Sequence, residues 1–297
     1  MKSISTPVRR LDAVEKTAGF TKYIADIDFG DFLYGKLCRS TRTRARILSV
    51  KKPSLPDGYY IIDKDDIPGE NAIHMINADW PVFADGSVRF IGDSIALVVG
   101  PDRKIIETII SQIDVEYEDI PAVFTIDESL ALKGGVIHGK DNCYGDYTIV
   151  KGDPDKAFAS ADQVYENTYE TGLQEHIYME TQSFVGLWED GKVNIHGSLQ
   201  CPFYVRHSVT PVLGVEDEKV RIIAAPTGGA FGGKEHYPDI PVTALAVAVF
   251  KLKKNIRMIY EREEDIVNTV KRHPSRIKIR TALDEHGKIT AMDIDSI

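Results

Sequence analysis

Apolar positions along this chain follow two periods, and the switch between them marks its elements. Tyr59-Tyr60-Ile61-Ile62 and Ile95-Ala96-Leu97-Val98-Val99 are short unbroken apolar runs, which predict strands in a buried sheet. Residues 63–71 between them are polar, and Pro68-Gly69 predicts a turn. After Gly100-Pro101 the spacing changes. Ile105, Ile106, Ile109 and Ile110 fall on one side of a helix predicted over 102–112. Val115-Glu116-Tyr117-Glu118 alternates like an edge strand before Asp119-Ile120-Pro121-Ala122 turns, and residues 127–155, rich in Gly, Asp and Lys, read as a linker with little to bury.

A second unit begins with the helix start Pro154-Asp155-Lys156-Ala157-Phe158. Strands are predicted over 163–170, 184–188 and 193–199, with Asp190-Gly191 as a hairpin turn between the last two. Residues 202–213 fit a helix with Val205, Val209 and Val212 facing one way. A strand over 220–225 leads into a glycine-rich octet. The apolar run 240–250 then reads as a helix with Asp239 as its N-cap, and Lys251, Lys253 and Lys254 suit its C-terminal end. Residues 256–260 form another strand, and 276–283 with 289–297 a hairpin across 284–287. Strands alternating with helices, without an internal repeat, place the chain in the α/β class.

The octet Gly228-Gly229-Ala230-Phe231-Gly232-Gly233-Lys234-Glu235 carries the strongest chemical signal. Four glycines in six positions let a backbone approach a ligand closely and point several N–H groups at one acceptor. Gly228, Gly233 and Lys234 satisfy the first part of a phosphate-loop pattern, but Glu235 stands where that chemistry needs a hydroxyl to hold Mg²⁺. Pro238 and Pro241 also delay the helix whose N-terminus would face the phosphates. A nucleotide-binding loop is therefore a weaker alternative, and a glycine turn that merely packs a strand on a helix is the plainer one.

Composition narrows the classes. The chain has 297 residues, 43% hydrophobic and 27% charged, which suits two soluble globular units. A net charge of -9 argues against a nucleic-acid partner, and the basic cluster Arg39, Arg42, Arg44 and Arg46 reads as a solvated or partner-facing turn. No apolar run reaches the ~20 residues a membrane span needs. Met1-Lys2-Ser3-Ile4-Ser5-Thr6-Pro7 lacks a signal-peptide core, so the cytoplasm is expected. Cys38, Cys143 and Cys201 are too isolated for an iron–sulfur site or a disulfide framework. His176 and Glu180 stand four apart, a spacing read as structural rather than as a metal site. A dinucleotide fingerprint is missing as well.

The octet, taken with six other segments in order, resembles the molybdenum hydroxylases, the xanthine dehydrogenase and aldehyde oxidase family. The segments are Arg9-Arg10-Leu11-Asp12-Ala13-Val14-Glu15-Lys16-Thr17-Ala18-Gly19 with Tyr23-Ile24-Ala25-Asp26, Leu33-Tyr34-Gly35-Lys36 with Arg44-Ala45-Arg46-Ile47, Val88-Arg89-Phe90-Ile91-Gly92-Asp93-Ser94-Ile95-Ala96, Glu175-His176-Ile177-Tyr178-Met179-Glu180, Arg262-Glu263-Glu264 and Arg272-His273-Pro274. The resemblance implies a hammerhead-type α/β domain over 1–126, a linker over 127–150, and over 151–297 the first, incomplete portion of a molybdopterin-binding domain with mixed sheets and flanking helices.

It also implies roles. Gln200 aligns with the family glutamine that hydrogen-bonds the oxygen shell of molybdenum. Phe231 aligns with a residue whose backbone N–H faces the same shell, flanked by Gly229, Ala230 and Gly232; its ring could equally be core. Glu235 aligns with the substrate-contacting position of xanthine-type members, where aldehyde-type members are commonly apolar; the plainer alternative is an ion pair with Lys234 or Arg272. His236 and Tyr237 match no pattern. The metal would be held by the pterin and not by this chain.

The implied reaction is hydroxylation of a purine, another N-heterocycle or an aldehyde with water as the oxygen source. The cofactor would be molybdopterin with molybdenum, the cytosine dinucleotide form being one option. Electrons would pass to 2Fe-2S and FAD on partner chains. The family's molybdenum subunit runs far beyond residue 297 and carries the general-base carboxylate there. The chain is expected to be a piece of such a subunit, or one half of a split one whose C-terminal half is a separate chain, and to be inactive alone. The competing reading is a non-catalytic assembly module with the same fold.

Overall fold

The computed structural model describes residues 6–297; residues 1–5, part of the segment read for a secretion signal, lie outside the described residues. In chain order the elements are α1 (Ala13–Thr17), β1 (Leu33–Arg39), β2 (Ala45–Lys51), β3 (Tyr60–Ile62), β4 (Ser87–Val88), β5 (Ser94–Gly100), α2 (Arg103–Gln112), β6 (Asp114–Asp119), α3 (Ile126–Leu130), α4 (Pro154–Ala159), β7 (Gln163–Thr171), β8 (Ser183–Glu189), β9 (Lys192–Gly197), α5 (Pro202–Leu213), β10 (Val220–Ala224), α6 (Asp239–Leu252), β11 (Ile256–Ile259), α7 (Arg262–Asn268), β12 (Ser275–Leu283) and β13 (Ile289–Ser296). The expected α/β class with mixed sheets and flanking helices is what the chain forms. Each of its two compact units is assembled from two stretches: residues up to Glu118 with His176–Thr269, and Asp119–Glu175 with Val270–Ile297. Compactness therefore cuts the chain differently from a division in sequence order.

The first unit is built on a seven-stranded sheet in the order β10-β9-β8-β11-β1-β5-β3. The β10/β9 and β1/β11 pairs are parallel and the others antiparallel. Every residue of β5 is buried, as its unbroken apolar run requires. Helix α2 starts at Asp102, whose carboxylate accepts from the N–H groups of Lys104 (2.8 Å) and Ile105 (3.1 Å). It buries Ile106 and Ile109 beside Tyr59 and Val98, with Ile110 packed against them. Ile105 is 40% exposed and leaves the predicted face. A one-residue step turns a helix by about 100°, so four isoleucines at this spacing cannot all face inward.

Helix α6 is apolar all round and buried from Asp239 to Val249, as befits a helix enclosed by other elements. Asp239 is its first residue and not its N-cap; Pro238 holds the cap position and no side chain caps the helix. Pro238 already has helical dihedrals, so the helix begins one residue earlier than a side-chain cap at Asp239 would allow. The Asp239 carboxylate turns instead toward Ser208 of α5, whose hydroxyl donates to it at 3.3 Å. In α5, Val205, Val209 and Val212 are fully buried, as their spacing predicts. The β8–β9 hairpin turns on Asp190 and Gly191, both at positive φ, the geometry of a tight hairpin turn. Strand β9 stops at Gly197, two residues short of its predicted end; Ser198 still donates its N–H to the Ser183 carbonyl, and Gln200 turns to the Lys234 carbonyl. Arg39 is not part of a solvated cluster. Its guanidinium is held by Glu264 (3.2 Å), the Gly92 carbonyl (3.0 Å) and the Tyr260 hydroxyl (2.5 Å).

The second unit is a three-stranded antiparallel sheet, β13-β12-β7, with Phe158 of α4 against the Arg280 guanidinium. The predicted hairpin 284–287 closes where Asp284 accepts from the N–H groups of His286 and Lys288. Among the described residues no helix is long and apolar enough to cross a membrane.

Candidate functional site

The octet connects β10 to α6 and lies over residues 176–180. A side chain at Gly233 would place its Cβ 2.6 Å from the Tyr178 ring and 2.9 Å from His176, so glycine alone permits this approach. Phe231, without a glycine's freedom, still adopts φ +53°, and its ring is 79% exposed. That disposes of the alternative in which the ring is ordinary core. A positive φ on an aromatic residue is strained, and strain of this kind is retained where the backbone must aim a group.

The N–H groups of the loop divide into two sets. Gly228 donates to Glu180 Oε2 at 2.7 Å, Gly232 to Gln200 Oε1 at 3.2 Å, and Gly233 to the Ala230 carbonyl at 2.8 Å. The N–H groups of Gly229, Ala230 and Phe231 have no acceptor among the described residues. Gln200 leaves the end of β9 exposed, and its backbone N–H donates to the Lys234 carbonyl at 2.8 Å. Its Oε1 faces two donors, the N–H groups of Gly232 and Lys234. That fixes which end of the amide is oxygen and leaves the NH₂ as the free end. Gln200 and Gly229–Phe231 thus form one set of donors with few competing acceptors.

Lys234 turns the other way. It is fully buried, its Nζ 2.8 Å from Ser198 Oγ, 3.3 Å from Glu180 Oε2 and 4.6 Å above the Tyr178 ring. A lysine spent inside the protein cannot reach a nucleotide's phosphates, so the phosphate-loop alternative fails on geometry. Lys234 therefore drops out of the plainer alternative, in which Glu235 pairs with Lys234 or Arg272. Burial lowers the Lys234 pKa, and the Glu180 carboxylate opposes that shift.

Glu235 is half-buried beside the donor set, and it is near enough to Cys201 to help raise that thiol's pKa, after burial itself. Tyr204 and His236 stack with ring centroids 4.7 Å apart and planes 4° from parallel. His236, unassigned by the sequence, thus belongs to the wall next to Glu235. Two further residues escaped notice. Gln182 is fully buried and donates to the Gly233 carbonyl (3.0 Å) and the Tyr178 hydroxyl (2.8 Å), while its backbone N–H donates to Asp265 (2.7 Å). The signal for Gln182 was the polar run Glu180-Thr181-Gln182, placed directly before an apolar strand where loops are usually solvated; Asp265 lies in α7. His176 and Glu180 lie at the foot of the loop and not on one side of a helix.

The set of donors fits an anionic, oxygen-rich group brought close to bare backbone. Among the described residues no group of three or more His, Cys, Asp or Glu side chains is placed to hold a metal ion. Residues 137–297, more than half the chain, match the molybdopterin cofactor-binding domain, and residues 18–121 match the aldehyde oxidase and xanthine dehydrogenase a/b hammerhead domain.

The chain belongs to the molybdenum hydroxylase family. It is 34% identical over 291 residues to the nicotinate dehydrogenase large molybdopterin subunit of Eubacterium barkeri, covering 96% of this chain and 68% of that one. It is 35% identical over 298 residues to xanthine dehydrogenase of Blastobotrys adeninivorans, covering 95% of this chain and 20% of that enzyme. Among solved structures, it superposes with a TM-score of 0.85 and 26% identity on aldehyde oxidoreductase from Desulfovibrio gigas, over 97% of this chain and 33% of that one. For quinoline 2-oxidoreductase from Pseudomonas putida 86 the values are 0.81 and 26%, over 99% and 39%. This molybdenum hydroxylase chain therefore spans about two thirds of one relative and well under half of the others.

Proposed function

We propose that this chain is the part of a xanthine dehydrogenase-like hydroxylase that presents hydrogen-bond donors to molybdopterin and a carboxylate to the substrate. The observation that carries the proposal is the Gln200 amide. Its oxygen is tied down by the N–H groups of Gly232 and Lys234, which leaves its NH₂ free, and it is joined in this way to the loop whose Gly229, Ala230 and Phe231 N–H groups have no acceptor among the described residues. When bound, molybdopterin supplies the redox chemistry of hydroxylation with water as the oxygen source, in the cytosine dinucleotide form or another. Gln200 and the loop hold its oxygen shell in place. Glu235 accepts a hydrogen bond from a ring N–H of the substrate and so favours a purine or related N-heterocycle over an aldehyde. Xanthine, named for one of the relatives, carries ring N–H groups of this kind, which supports the preference.

Since the chain spans only part of its relatives' length, the activity is proposed for a complete assembly. The proposed partners are a C-terminal half carrying the general base and chains bearing 2Fe-2S and FAD, all in the cytoplasm. Modules in sequence order, 1–126, 127–150 and 151–297, are part of the same proposal. The test is made on the complete assembly, with purine, nicotinate and aldehyde substrates compared. Glu235→Ala removes the acceptor and is expected to lower kcat/KM for the N–H-bearing heterocycle by about 10²-fold, the worth of a hydrogen bond to a charged group, with molybdopterin content unchanged. Gln200→Ala is expected to lower molybdopterin content. An assembly carrying no molybdopterin, or a Glu235 variant with an unaltered substrate profile, would defeat this reading.

A further inference from the structure

The buried Lys234 ammonium lies on the far side of the loop from its free donors. A buried lysine is costly unless it is paired and hydrogen-bonded, and here it is both. Glu180 Oε2 accepts from Lys234 Nζ, from Ser198 Oγ at 2.5 Å and from the Gly228 N–H at 2.7 Å. Ser198 Oγ in turn accepts from Lys234 at 2.8 Å. Through its main chain Lys234 also brackets Gln200, with its carbonyl on the Gln200 N–H and its N–H on Gln200 Oε1. One residue therefore grips the exit of β9 at two points, Ser198 by side chain and Gln200 by backbone. Glu180 holds the opposite end of the loop at Gly228, so the Lys234–Glu180 pair closes a ring around residues 228–234.

We propose that Lys234 is a positioning residue: its buried ion pair with Glu180 sets the glycine loop and Gln200 in register, so that the free N–H groups of Gly229–Phe231 and the Gln200 NH₂ converge on one ligand. The inference rests on the proposed role of those donors, and Lys234 itself touches no ligand. An apolar side chain of similar length fills the same space but releases Ser198 and Glu180. The loop would then keep its packing on Tyr178 and lose its register with β9.

Lys234→Met alone strands the Glu180 carboxylate and can prevent folding, so the decisive variant is the neutral pair Lys234→Met with Glu180→Gln. In the complete assembly, its Tm is expected to lie near that of the wild type. Amide exchange at Gly228, Gly232, Gly233 and Lys234, whose N–H groups have protein acceptors, should quicken about tenfold or more, the change one lost charge-assisted hydrogen bond makes to a local opening equilibrium. Exchange elsewhere is expected to be unchanged, and molybdopterin content to fall. A merely structural lysine would instead shift Tm and exchange throughout the unit. A loop that exchanges at the wild-type rate, or exchange that rises uniformly, overturns the proposal. A wild-type assembly without molybdopterin overturns the reading of the site, while the loop exchange still decides the part played by Lys234.

Discussion

Asp239 carries a fully buried carboxyl at the first position of α6, with one oxygen lacking a partner. Burial pushes its pKa up to about 7, against the hydrogen bond from Ser208. The folded state thus holds this proton more tightly than the unfolded chain, where the pKa is about 3.9. Stability from this group is complete below about pH 4 and is lost as pH rises toward and through 7. Asp239→Asn is expected to raise Tm relative to wild type at pH 8, by an amount equivalent to a few kcal/mol at most, and to change it little at pH 4. Thermal melts of both proteins across that range check the sign. Phe231 yields a second prediction. Phe231→Gly relieves a left-handed conformation and removes an exposed ring, so stability should stay level or rise by up to about 1 kcal/mol. Molybdopterin retention should fall, because the N–H is no longer aimed, and metal analysis of the purified assembly reads this directly. The octet was legible from its glycines alone, and Gln200 only through family resemblance. The inward turn of Lys234 was not, because residue order records spacing but not depth. The part of Gln182 was hidden because polar residues before a strand look like an ordinary loop, and that of Asp265 because it sits in the charged run of α7.

At the level of elements, period and punctuation did most of the predicting. The Asp190-Gly191 turn, the valine side of α5 and the 284–287 hairpin all stand where the pattern put them. Helix α2 shows the limit, because periodicity located the helix but admitted one isoleucine too many to its buried side. Ile106→Ala is expected to cost about 2–5 kcal/mol and Ile105→Ala within about 0.5 kcal/mol; urea denaturation of the two variants separates them. Element ends were less legible. Strand β9 ends at Gly197 rather than at the predicted 199, as the Ser198 hydroxyl and the Gln200 N–H take Lys234 of the glycine loop as partner, which no local propensity encodes.

For the whole molecule, the sequence suggested units in succession, whereas the seven-stranded sheet draws on both sides of an intervening stretch. Apolar runs declare that a strand is buried without saying which strand it adjoins. The two units should also differ in stability. Strand β7 is exposed along nearly its whole length, and Ala282 is the fully buried apolar residue of the β13-β12-β7 sheet, while β5 is buried throughout. Amide exchange in β7 and β13 is therefore expected to outpace that in β5 and β8 by several orders of magnitude. Equal protection in the two sheets would contradict it.

The parallel pairing of Leu33 with Ile256 has a consequence for the ribosome. The first strand can zip to β5 soon after it emerges, since Tyr34 meets Gly100. Its other flank has to wait until more than two hundred further residues have been added, roughly 10–45 s at ordinary elongation rates. During that interval a nascent chain shows an open strand to its neighbours on the polysome. Slower translation or a crowded polysome would thus lower the yield of native protein without any change in the finished fold.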